Sequence, residues 1–377
     1  MLVVGARPNF IKVAPLIRKL SQTFAKELEY CLVHTGQHYD PEMSAAFFND
    51  LAIPEPAYNL GVGSSSHGVQ TARVMERFEA LCEKETPDCI VVFGDINSTL
   101  ACALVGAKNQ IPVAHVEAGM RSFDRTMPEE VNRVVTDVLS EFLFTPDATA
   151  DENLLREGIP REKIFRVGDI MVDALLWEKE KARFSTILSD LGLSVEEPYG
   201  VLTLHRAGNV DRPEVLTRLV DIATTASKTC PLVFPVHPRT EKRLKEFHLA
   251  GAMARLYASA DGHKKRGVLA IKPVGYTDFL RLIMDADFVM TDSGGIQKET
   301  TLLGIPCLTL RDTTEWPLTL SNGTNRLLGN MPDPQSVAGM VQAIVEKRER
   351  PRVTLPPLWD GKTAERILTV LKEKLSS

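Results

Sequence analysis

The chain has 377 residues, of which 44% are hydrophobic and 25% are charged, and its formal net charge is −5 at pH 7. This length predicts two domains, and the composition is typical of a soluble globular protein. A negative chain without a basic stripe argues against nucleic-acid binding, and no apolar run is long enough to cross a bilayer. The start, MLVVGARPNF, lacks the pattern of a signal peptide. The six cysteines are scattered, without the paired spacing of metal ligands, so we expect reduced thiols in a cytoplasmic protein.

Strand-like and helix-like patterns alternate through the first part of the chain. Short β-rich runs predict strands at Leu2–Val4, Tyr30–His34, Ile90–Phe93, Val113–Val116 and Phe142–Thr145. Helical patterns lie between them at Ile11–Leu20, Glu42–Asn49, Gly68–Glu83, Ser98–Ala107 and Glu129–Leu139. This alternation is typical of βαβ units that build a parallel sheet.

A second series of strands is predicted at Gly200–Leu204, Leu232–Pro235, Val268–Ile271, Phe288–Thr291 and Cys307–Leu310. Helical patterns separate these strands at Pro213–Ser227, Glu241–Phe247, Asp278–Ala286 and Ile296–Leu303. We therefore predict an α/β fold of two doubly wound domains, residues 1–168 and 169–360, with the C-terminal helix in 361–377 joining the first domain. Such sheets bind ligands beyond the carboxyl ends of their strands, so we expect the site in a cleft between the domains.

Charged side chains follow the strands of the first predicted domain. They are Arg7, Lys12, Asp95, Glu117 and the pair Glu129 and Glu130. Each has a structural alternative, because Asp95 is suited to cap the next helix and the glutamate pair is suited to the first turn of its own. Their coincidence at strand ends favours an active site, since carboxylates at one sheet edge are suited to proton transfer.

The second predicted domain offers histidines and a glycine turn at its strand ends. His205 and Arg206 follow one strand, His237 follows another, and Ser293-Gly294-Gly295 opens a helix. The free N–H groups of a helix start bind phosphate oxygens, and Glu299, one turn further on, is placed to accept bonds from the two hydroxyls of a ribose. A tight turn that needs two glycines explains the same stretch equally well. His237 before Pro238 is better read as a structural residue.

Several familiar catalytic motifs are absent from the sequence. The first strand is not followed by GxGxxG, which weakens a dehydrogenase interpretation, and the P-loop, the GxSxG elbow and HExxH are also missing.

Taken together and in this order, several segments resemble the non-hydrolysing UDP-N-acetylglucosamine 2-epimerases over nearly the whole chain. These segments are GARPNFIK, TGQHYD, FGDINST, HVEAGMRSFDRTMPEEVNR, TDSGGIQKE and RDTTEWP. The chain departs from the family pattern at Asn9 and Gly208, where many members carry Glu. The resemblance implies the GT-B fold of two facing Rossmann-like domains and a homodimer.

The resemblance also implies a role for individual residues. It assigns Asp95, Glu117 and Glu129 as the acid/base carboxylates and His205 as a catalytic group that contacts the diphosphate. The substrate-binding residues that it implies are Arg7, Lys12, Ser293, Gly294, Gly295, Glu299 and Arg311. The residues that match a possible allosteric site for a second UDP-sugar are Gln37, His38, Arg73 and Arg206.

The implied reaction is reversible C2 epimerisation of UDP-N-acetylglucosamine to UDP-N-acetylmannosamine, by elimination of UDP to a glycal and its re-addition. Neither a metal nor another cofactor is required. Two alternatives remain open from the sequence: C2 epimerisation of a related UDP-diacetamido-uronic acid, and glycosyl transfer from a UDP-sugar on the same fold. A non-catalytic UDP-sugar sensor is a third interpretation.

Overall fold

The computed structural model describes residues 1–37, 51–249, 251, 256–258, 265–321, 323–329 and 331–376; for residues 7, 256–258 and 265 it describes the backbone alone. The described chain forms two compact units. Unit 1 contains Met1–Trp177 and Pro357–Ser377, and unit 2 contains Glu178–Pro356.

Unit 1 is built from seven strands and the helices that connect them. Its strands are β1 (Leu2–Val4), β2 (Leu32–His34), β3 (Tyr58–Asn59), β4 (Ile90–Phe93), β5 (Val113–Val116), β6 (Phe142–Thr145) and β7 (Ile164–Arg166). Its helices are α1 (Arg7–Gln22), α2 (His67–Glu85), α3 (Asn97–Lys108), α4 (Pro128–Leu139), α5 (Ala148–Arg156), a 3-10 turn (Arg161–Lys163), α6 (Ile170–Ala182), which continues into unit 2, and the last helix of the chain (Thr363–Leu375).

The seven strands of unit 1 form one parallel sheet in the order β3-β2-β1-β4-β5-β6-β7. The chain winds outward from β1 to β3, then returns to place β4 on the other side of β1. The sheet therefore has a topological switch point between β1 and β4, which is where ligands of doubly wound sheets bind. The sequence segments that follow β1, β4 and β5 all lie at this end of the sheet.

Unit 2 repeats this plan with a second set of elements. Its strands are β8 (Gly200–Thr203), β9 (Leu232–Pro235), β10 (Leu256–Ala258), β11 (Lys265–Ile271), β12 (Phe288–Thr291), β13 (Cys307–Thr309) and β14 (Asn325–Leu327). Its helices are α7 (Ile187–Asp190), α8 (Ala207–Val210), α9 (Pro213–Ala226), α10 (Pro238–Glu246), α11 (Tyr276–Asp285), α12 (Gly294–Leu303), α13 (Leu318–Ser321) and α14 (Pro334–Lys347). The last helix of the chain (Thr363–Leu375), which belongs to unit 1, is named α15.

The sheet of unit 2 has the order β10-β11-β9-β8-β12-β13-β14. All of its pairings are parallel except the edge pair β10–β11. Its switch point lies between β8 and β12, so the segments after these two strands come together. The two Rossmann-like units agree with the predicted fold class.

Each sheet is covered on both faces by helices, and the apolar strands form the cores. The largest fully buried side chains include Phe93 and Phe144 in unit 1 and Phe234 and Phe288 in unit 2. Burial on both faces explains why these strands read as short continuous apolar runs in the sequence. Within the described ranges, no helix is both long enough and apolar enough to cross a membrane.

The unit boundaries differ from the predicted domain limits of 168/169 and 360/361. The structure divides the chain after Trp177 and after Pro356. The first difference arises because the start of α6 holds the C-terminal helix: both oxygens of Asp173 accept hydrogen bonds from backbone N–H groups of Thr363 and Ala364, at 3.1 and 2.9 Å. Several elements were not predicted from the sequence: β3, β7, β10, β14, α5, α7, α8, α13 and α14. The predicted helix Glu42–Asn49 lies outside the described residues.

Candidate active site

Asp95 lies just beyond β4, at the switch point of unit 1, and α4 holds it from two directions. The guanidinium of Arg133 donates to its carboxylate at 2.5 Å, and the amide of Asn132 donates to its backbone carbonyl at 2.8 Å. Its side chain is 29% exposed. The capping alternative for Asp95 is wrong, because Ile96 is the N-cap of α3 and Gln37 accepts a hydrogen bond from the Ser98 N–H at 2.9 Å.

The two glutamates at the start of α4 have different environments. Glu130 is buried, and its carboxylate accepts hydrogen bonds from the Ser122 and Phe123 N–H groups and from Arg133, all within 3.0 Å. These donors outweigh the effect of burial and lower the pKa of Glu130. Glu129, by contrast, is exposed. Glu130 therefore fixes the loop before α4, and Glu129 is the member of the pair that solvent or a ligand can reach.

Glu117 follows β5 directly and has an unusual backbone conformation. Its φ of +72° lies in the left-handed region, which costs a residue with a side chain about 1 kcal/mol or more. The carbonyl of Phe144 holds this bend by accepting the N–H groups of Glu117 and Ala118, both at 3.1 Å. The buried ammonium of Lys12 forms an ion pair with its carboxylate. The strained backbone thus brings a carboxylate and a cation together at the sheet edge.

Gly94 makes room for this ion pair. It has a φ of +63°, and a β-carbon at this position would lie 2.7 Å from Lys12 Nζ and 3.5 Å from Glu117 Oε2. A larger residue at this turn would therefore displace the lysine.

A buried charge cluster lies beneath the loops that carry Asp95 and Glu117. His115, on β5, contacts Asp137 of α4 through Nδ1 at 2.6 Å and the carbonyl of Gly94 through Nε2 at 2.8 Å. The other carboxylate oxygen of Asp137 contacts Arg121 at 2.7 Å and accepts the N–H of Gly119 at 3.1 Å. The cluster therefore joins the ends of β4 and β5 to α4.

The remaining predicted residues of unit 1 lie around β1 and β2. Asn9, one of the two departures from the family pattern, accepts from the Gly5 and Ala6 N–H groups and donates to the Phe93 carbonyl at 3.0 Å, so it links β1 to β4. Arg7 begins α1, and its side chain lies outside the description.

The residues assigned to a second UDP-sugar site are only partly described. The side-chain oxygen of Gln37 accepts from the Ser98 N–H and hydroxyl at 2.9 and 2.8 Å, so this oxygen serves α3. Arg73 is exposed on α2, and Arg206 belongs to unit 2. His38 lies outside the described residues. The allosteric assignment stays a prediction.

In unit 2, the end of β8 carries His205, and the end of β12 carries the residue that orients it. Asp292 is fully buried and contacts His205 Nδ1 at 3.0 Å. It also accepts the backbone N–H groups of His205 and Arg206, both at 3.0 Å. Although burial opposes ionisation, these contacts with His205 and the backbone lower the pKa of Asp292. The carboxylate therefore fixes the ring so that Nε2 is the nitrogen available to a ligand.

The glycine turn after Asp292 begins α12, with Ser293 at the N-cap. Neither Gly294 nor Gly295 has a positive φ. A β-carbon at Gly295 would meet nothing closer than Ser293 Oγ at 4.0 Å, whereas one at Gly294 would lie 3.3 Å from Glu315 Oε2. Backbone conformation thus does not require glycine at either position, and packing does not require it at Gly295. This weakens the alternative of a tight turn that needs two glycines.

Further along α12, Glu299 is buried and accepts a hydrogen bond from the Tyr276 hydroxyl at 3.0 Å. Gln297 holds the helix against the following segments: its side-chain oxygen accepts from Thr314 at 2.6 Å and from Asn325 at 2.8 Å. The start of α12 is therefore fixed before any ligand binds.

Two predicted arginines share one carboxylate near this helix start. Arg311 forms a bidentate pair with Glu315 at 2.8 and 2.9 Å, and Arg206 contacts the same group at 3.1 Å. Burial opposes ionisation of Glu315, but the arginines outweigh it and lower its pKa to about 2. Lys298 adds a further cation, with its Nζ 3.7 Å from the centre of the Trp316 ring. Within the described residues, no group of His, Cys, Asp and Glu is arranged to hold a metal ion.

Comparison with known proteins decides between the families that could carry such residues. The sequence model of UDP-N-acetylglucosamine 2-epimerase matches residues 21–372. The chain belongs to the UDP-N-acetylglucosamine 2-epimerase family. The similarity to the epimerases inferred from the sequence is confirmed.

Individual members give the scale of this relationship. A UDP-N-acetylglucosamine 2-epimerase of Methanocaldococcus jannaschii is 42% identical over 382 residues, covering 98% of each chain. A crystal structure of the epimerase from that organism, in complex with UDP-GlcNAc and UDP, superposes with a TM-score of 0.84 at 42% identity and covers 99% of each chain. A UDP-2,3-diacetamido-2,3-dideoxy-D-glucuronate 2-epimerase of Pseudomonas aeruginosa is 40% identical over 332 residues, 87% of this chain and 88% of that protein.

Within this family framework, each unit brings its own predicted residues together at a switch point. Asp95, Glu117 and Lys12 gather at the sheet edge of unit 1, and Glu129 lies at the start of the helix that holds Asp95. In unit 2 the gathered residues are His205, Arg206, Ser293, Gly294, Gly295, Glu299 and Arg311. Their catalytic and binding roles stay predictions.

Sequence reasoning missed the residues that hold these groups in place, namely Asn132, Arg133, His115, Asp137, Asp292 and Glu315. A signal existed for Asp292, because it follows a strand directly and precedes the glycine turn. The others depend on side-chain partners from different elements. The expected structural role of His237 is confirmed, since its ring accepts the Arg239 N–H at 3.2 Å and caps α10.

Proposed function

We propose that this protein reversibly epimerises C2 of UDP-N-acetylglucosamine to give UDP-N-acetylmannosamine. The observation that carries the proposal is the pair of carboxylates, Asp95 and Glu117, at the ends of the adjacent strands β4 and β5 in a member of this family. The M. jannaschii relative solved with UDP-GlcNAc and UDP supports the same substrate class.

The chemistry explains why carboxylates are needed. The hydrogen at C2 of the sugar is not acidic, because no carbonyl adjoins it. If a base takes this proton while the C1–O bond breaks, the electron pair of the C–H bond forms the C1=C2 bond of a glycal, and UDP leaves with the electrons of the C1–O bond. Return of UDP to C1 and of a proton to the opposite face of C2 gives the epimer. Two proton-transfer groups on opposite faces are therefore required.

Unit 1 supplies the groups suited to these proton transfers. Asp95, Glu117 and Glu129 are the proposed acid/base residues. The ammonium of Lys12 pairs with the carboxylate of Glu117. A neighbouring cation favours the charged carboxylate, which is the form that acts as a base. Asp95, held by Arg133 yet 29% exposed, is accessible to exchange a proton with a ligand.

Unit 2 supplies the groups suited to holding the leaving group. N–H groups at the start of α12 are proposed to receive the diphosphate, where charge grows as the C1–O bond breaks. His205 is proposed as a further diphosphate contact, through Nε2, and Arg311 as an additional cation. Arg7, at the start of α1 in unit 1, is proposed to add another cation. Glu299 is proposed to bind the ribose. Retaining UDP tightly is essential, because the same molecule must return to C1.

The Pseudomonas relative, at 40% identity, supports one alternative substrate, a UDP-diacetamido-uronic acid. The same elimination and re-addition at C2 would serve either sugar. A panel of UDP-sugars assayed for turnover distinguishes them, and faster turnover of the uronic acid would replace the N-acetylglucosamine assignment.

Incubation with UDP-GlcNAc in deuterated water tests the reaction directly. We expect deuterium at C2 of both UDP-sugars and interconversion without an acceptor. UDP release only when an acceptor is supplied would instead identify a glycosyltransferase, and binding without turnover a sensor. The variants Asp95→Asn, Glu117→Gln and Glu129→Gln should each slow the exchange by roughly 10²-fold or more. Unchanged exchange in all three would refute the carboxylate assignment.

A homodimer in the cytoplasm is part of this proposal. The dimer is supported by α4, which buries polar residues and exposes Val131 and Val138, with 40% and 60% of their surface accessible. These valines are seven residues apart and therefore share one face of the helix. Sedimentation of the protein should give a dimer, and Val138→Asp should give a monomer. A monomeric wild-type protein would refute this part.

A further inference from the structure

The buried cluster around His115 carries an inference about how unit 1 positions its carboxylates. His115 lies on β5 directly opposite Val92 of β4, and its side chain is 0% exposed. Its Nε2 lies 2.8 Å from the carbonyl oxygen of Gly94. A carbonyl oxygen can only accept, so Nε2 must carry a hydrogen.

The other ring nitrogen has an equally restricted partner. Nδ1 of His115 lies 2.6 Å from Asp137 Oδ1. An ionised carboxylate also only accepts, so Nδ1 must carry a second hydrogen as long as Asp137 is charged. Asp137 Oδ2 accepts from the Gly119 N–H and contacts Arg121, both of which favour the charged carboxylate. Burial opposes ionisation of Asp137, but His115 and Arg121 outweigh it and lower the pKa of this carboxyl.

The charges of the cluster balance. Arg121 also forms a bidentate pair with Glu157 at 2.8 and 2.6 Å. With a doubly protonated His115, two cations therefore face two carboxylates, Asp137 and Glu157. Glu157 lies at the surface, with 29% of its side chain accessible, whereas His115, Asp137 and Arg121 are buried. Each buried ion of the cluster has a partner of opposite charge, which avoids the large cost of an unpaired buried ion.

Three parts of the cluster adjoin the segments that carry or hold the proposed acid/base residues. The Gly94 carbonyl immediately precedes Asp95. The Gly119 N–H and Arg121 follow Glu117, whose left-handed backbone needs support from its surroundings. Asp137 lies on α4, the helix that holds Asp95 through Asn132 and Arg133.

We propose that His115 is an imidazolium held by Asp137, and that this pair are positioning residues that set the Asp95 and Glu117 carboxylates for proton transfer at C2. The role at C2 rests on the proposed function, whereas the charge state of His115 does not. Neither residue needs to touch the substrate. The pair acts by fixing the ends of β4 and β5 relative to each other.

The protonation state is measured without substrate. In protein labelled with 15N at its eight histidines, NMR should reveal one fully buried ring with both nitrogens protonated and both N–H protons protected from exchange with solvent. If no histidine has two protected ring N–H groups, the imidazolium is refuted. This experiment stands even if the wild-type protein exchanges no hydrogen at C2, an outcome that would overturn the proposed function instead.

The positioning role is tested by two amide variants of the histidine. The amide of Gln reaches the position of Nε2, so His115→Gln can still donate to Gly94; the amide of Asn reaches that of Nδ1, so His115→Asn leaves the Gly94 carbonyl without its donor. We expect kcat for C2 exchange to fall by about 10²-fold in the Asn variant, since small misplacements of reacting groups have this effect, and by less in the Gln variant. The KM for UDP-GlcNAc should change little, because most of the proposed UDP contacts lie in unit 2. Equal kcat in the two variants would refute positioning through Gly94.

A matched pair of carboxylate variants separates positioning from simple loss of stability. Asp137→Asn and Asp151→Asn each remove a buried carboxylate of unit 1 that pairs with arginine; Asp151 is held by Arg161 and Arg166, at 3.0 and 2.7 Å. Both variants should unfold at lower denaturant concentration, but only Asp137→Asn should lose kcat by about 10²-fold. Equal kcat in the two folded variants would refute the role of Asp137.

Discussion

Replacement of Gly295 by Ala separates a ligand-binding glycine from a structural one. Gly295 is the second residue of α12, without a positive φ, and a β-carbon there would meet nothing closer than 4.0 Å in the described protein. The protein itself therefore accepts alanine at this position. Because glycine in a helix costs roughly 0.5–1 kcal/mol relative to alanine, we expect Gly295→Ala to stabilise unit 2 by up to about that amount.

The same methyl group should weaken UDP binding. If the diphosphate approaches the N–H groups at the start of α12, a β-carbon at Gly295 hinders that approach. Loss of one hydrogen bond to a charged group costs about 1.5–3 kcal/mol, which corresponds to a roughly ten- to hundredfold higher Kd. Stability and affinity should thus move in opposite directions, a result that a purely structural turn does not predict.

Two measurements on each variant decide the matter: denaturant unfolding, and titration of UDP by calorimetry. Gly339→Ala is the matched control, because Gly339 lies inside α14 and a β-carbon added there would meet no atom within 4 Å. It should gain stability without any change in affinity. An unchanged Kd for UDP in Gly295→Ala would refute binding of the diphosphate at the start of α12. A loss of stability would instead favour the alternative of a tight turn that needs glycine.

Three further predictions use pairs of groups that differ in burial or charge. Glu129→Gln should slow C2 exchange at unchanged stability. Glu130→Gln, which removes a buried and fully bonded carboxylate, should lower the free energy of unfolding by about 1–3 kcal/mol. The reverse pattern in exchange and unfolding assays would refute a catalytic role for Glu129 and a structural role for Glu130. Asp292→Asn should lower kcat while preserving the fold, because an amide no longer favours the hydrogen on His205 Nδ1; a kcat and a pH–rate profile identical to those of the wild type would contradict the orienting role. Burial opposes ionisation of Glu315, but its arginine partners lower its pKa in the folded state to about 2. The charged carboxylate therefore stabilises the protein fully above its ordinary pKa of 4.5, and this contribution is lost as the pH falls from 4.5 toward 2. The stability difference between wild type and Glu315→Gln should therefore shrink over that range in unfolding titrations, and a constant difference would refute the linkage.

The sequence allowed the central strands and the βαβ plan of both units to be predicted, because these strands pair in parallel and are buried. Strands such as Ile90–Phe93 and Phe288–Thr291 read as uninterrupted apolar runs and were predicted with their observed bounds. The short edge strands β3 and β14 were missed, since their residues, Tyr58–Asn59 and Asn325–Leu327, do not form an apolar run as Leu2–Val4 does. The first boundary was predicted at 168/169, before the observed division after Trp177. The sequence could not reveal the difference, because it depends on contacts of Asp173 with Thr363 and Ala364, which lie far away in the sequence.

The residues of the candidate site that directly follow a strand could be predicted from the sequence. The environment of a residue could not be predicted where it depends on contacts between different helices, strands and loops. Asp95 and Glu117 follow strands in the sequence, so topology alone brings them to one edge. Glu129 is exposed and Glu130 is buried because of the path of the loop before α4. The N–H groups of this loop point toward Glu130 and not toward the adjacent Glu129. No local pattern distinguishes the two residues.

The two sheets use an aspartate near equivalent strand ends in opposite ways, and burial explains the difference. Asp95 follows β4 and Asp292 follows β12, the strands on corresponding sides of the two switch points. Asp292 is fully buried, and its oxygens are taken up by the His205 ring and by backbone N–H groups, so it cannot receive a proton from a ligand without breaking several hydrogen bonds. Asp95 has one guanidinium partner and is 29% exposed, so a proton can reach its carboxylate. An aspartate near the same place in the fold thus orients another side chain in one unit, and in the other unit it is accessible for the acid/base role that we propose. What decides between the two is the number of donors that the neighbouring elements supply.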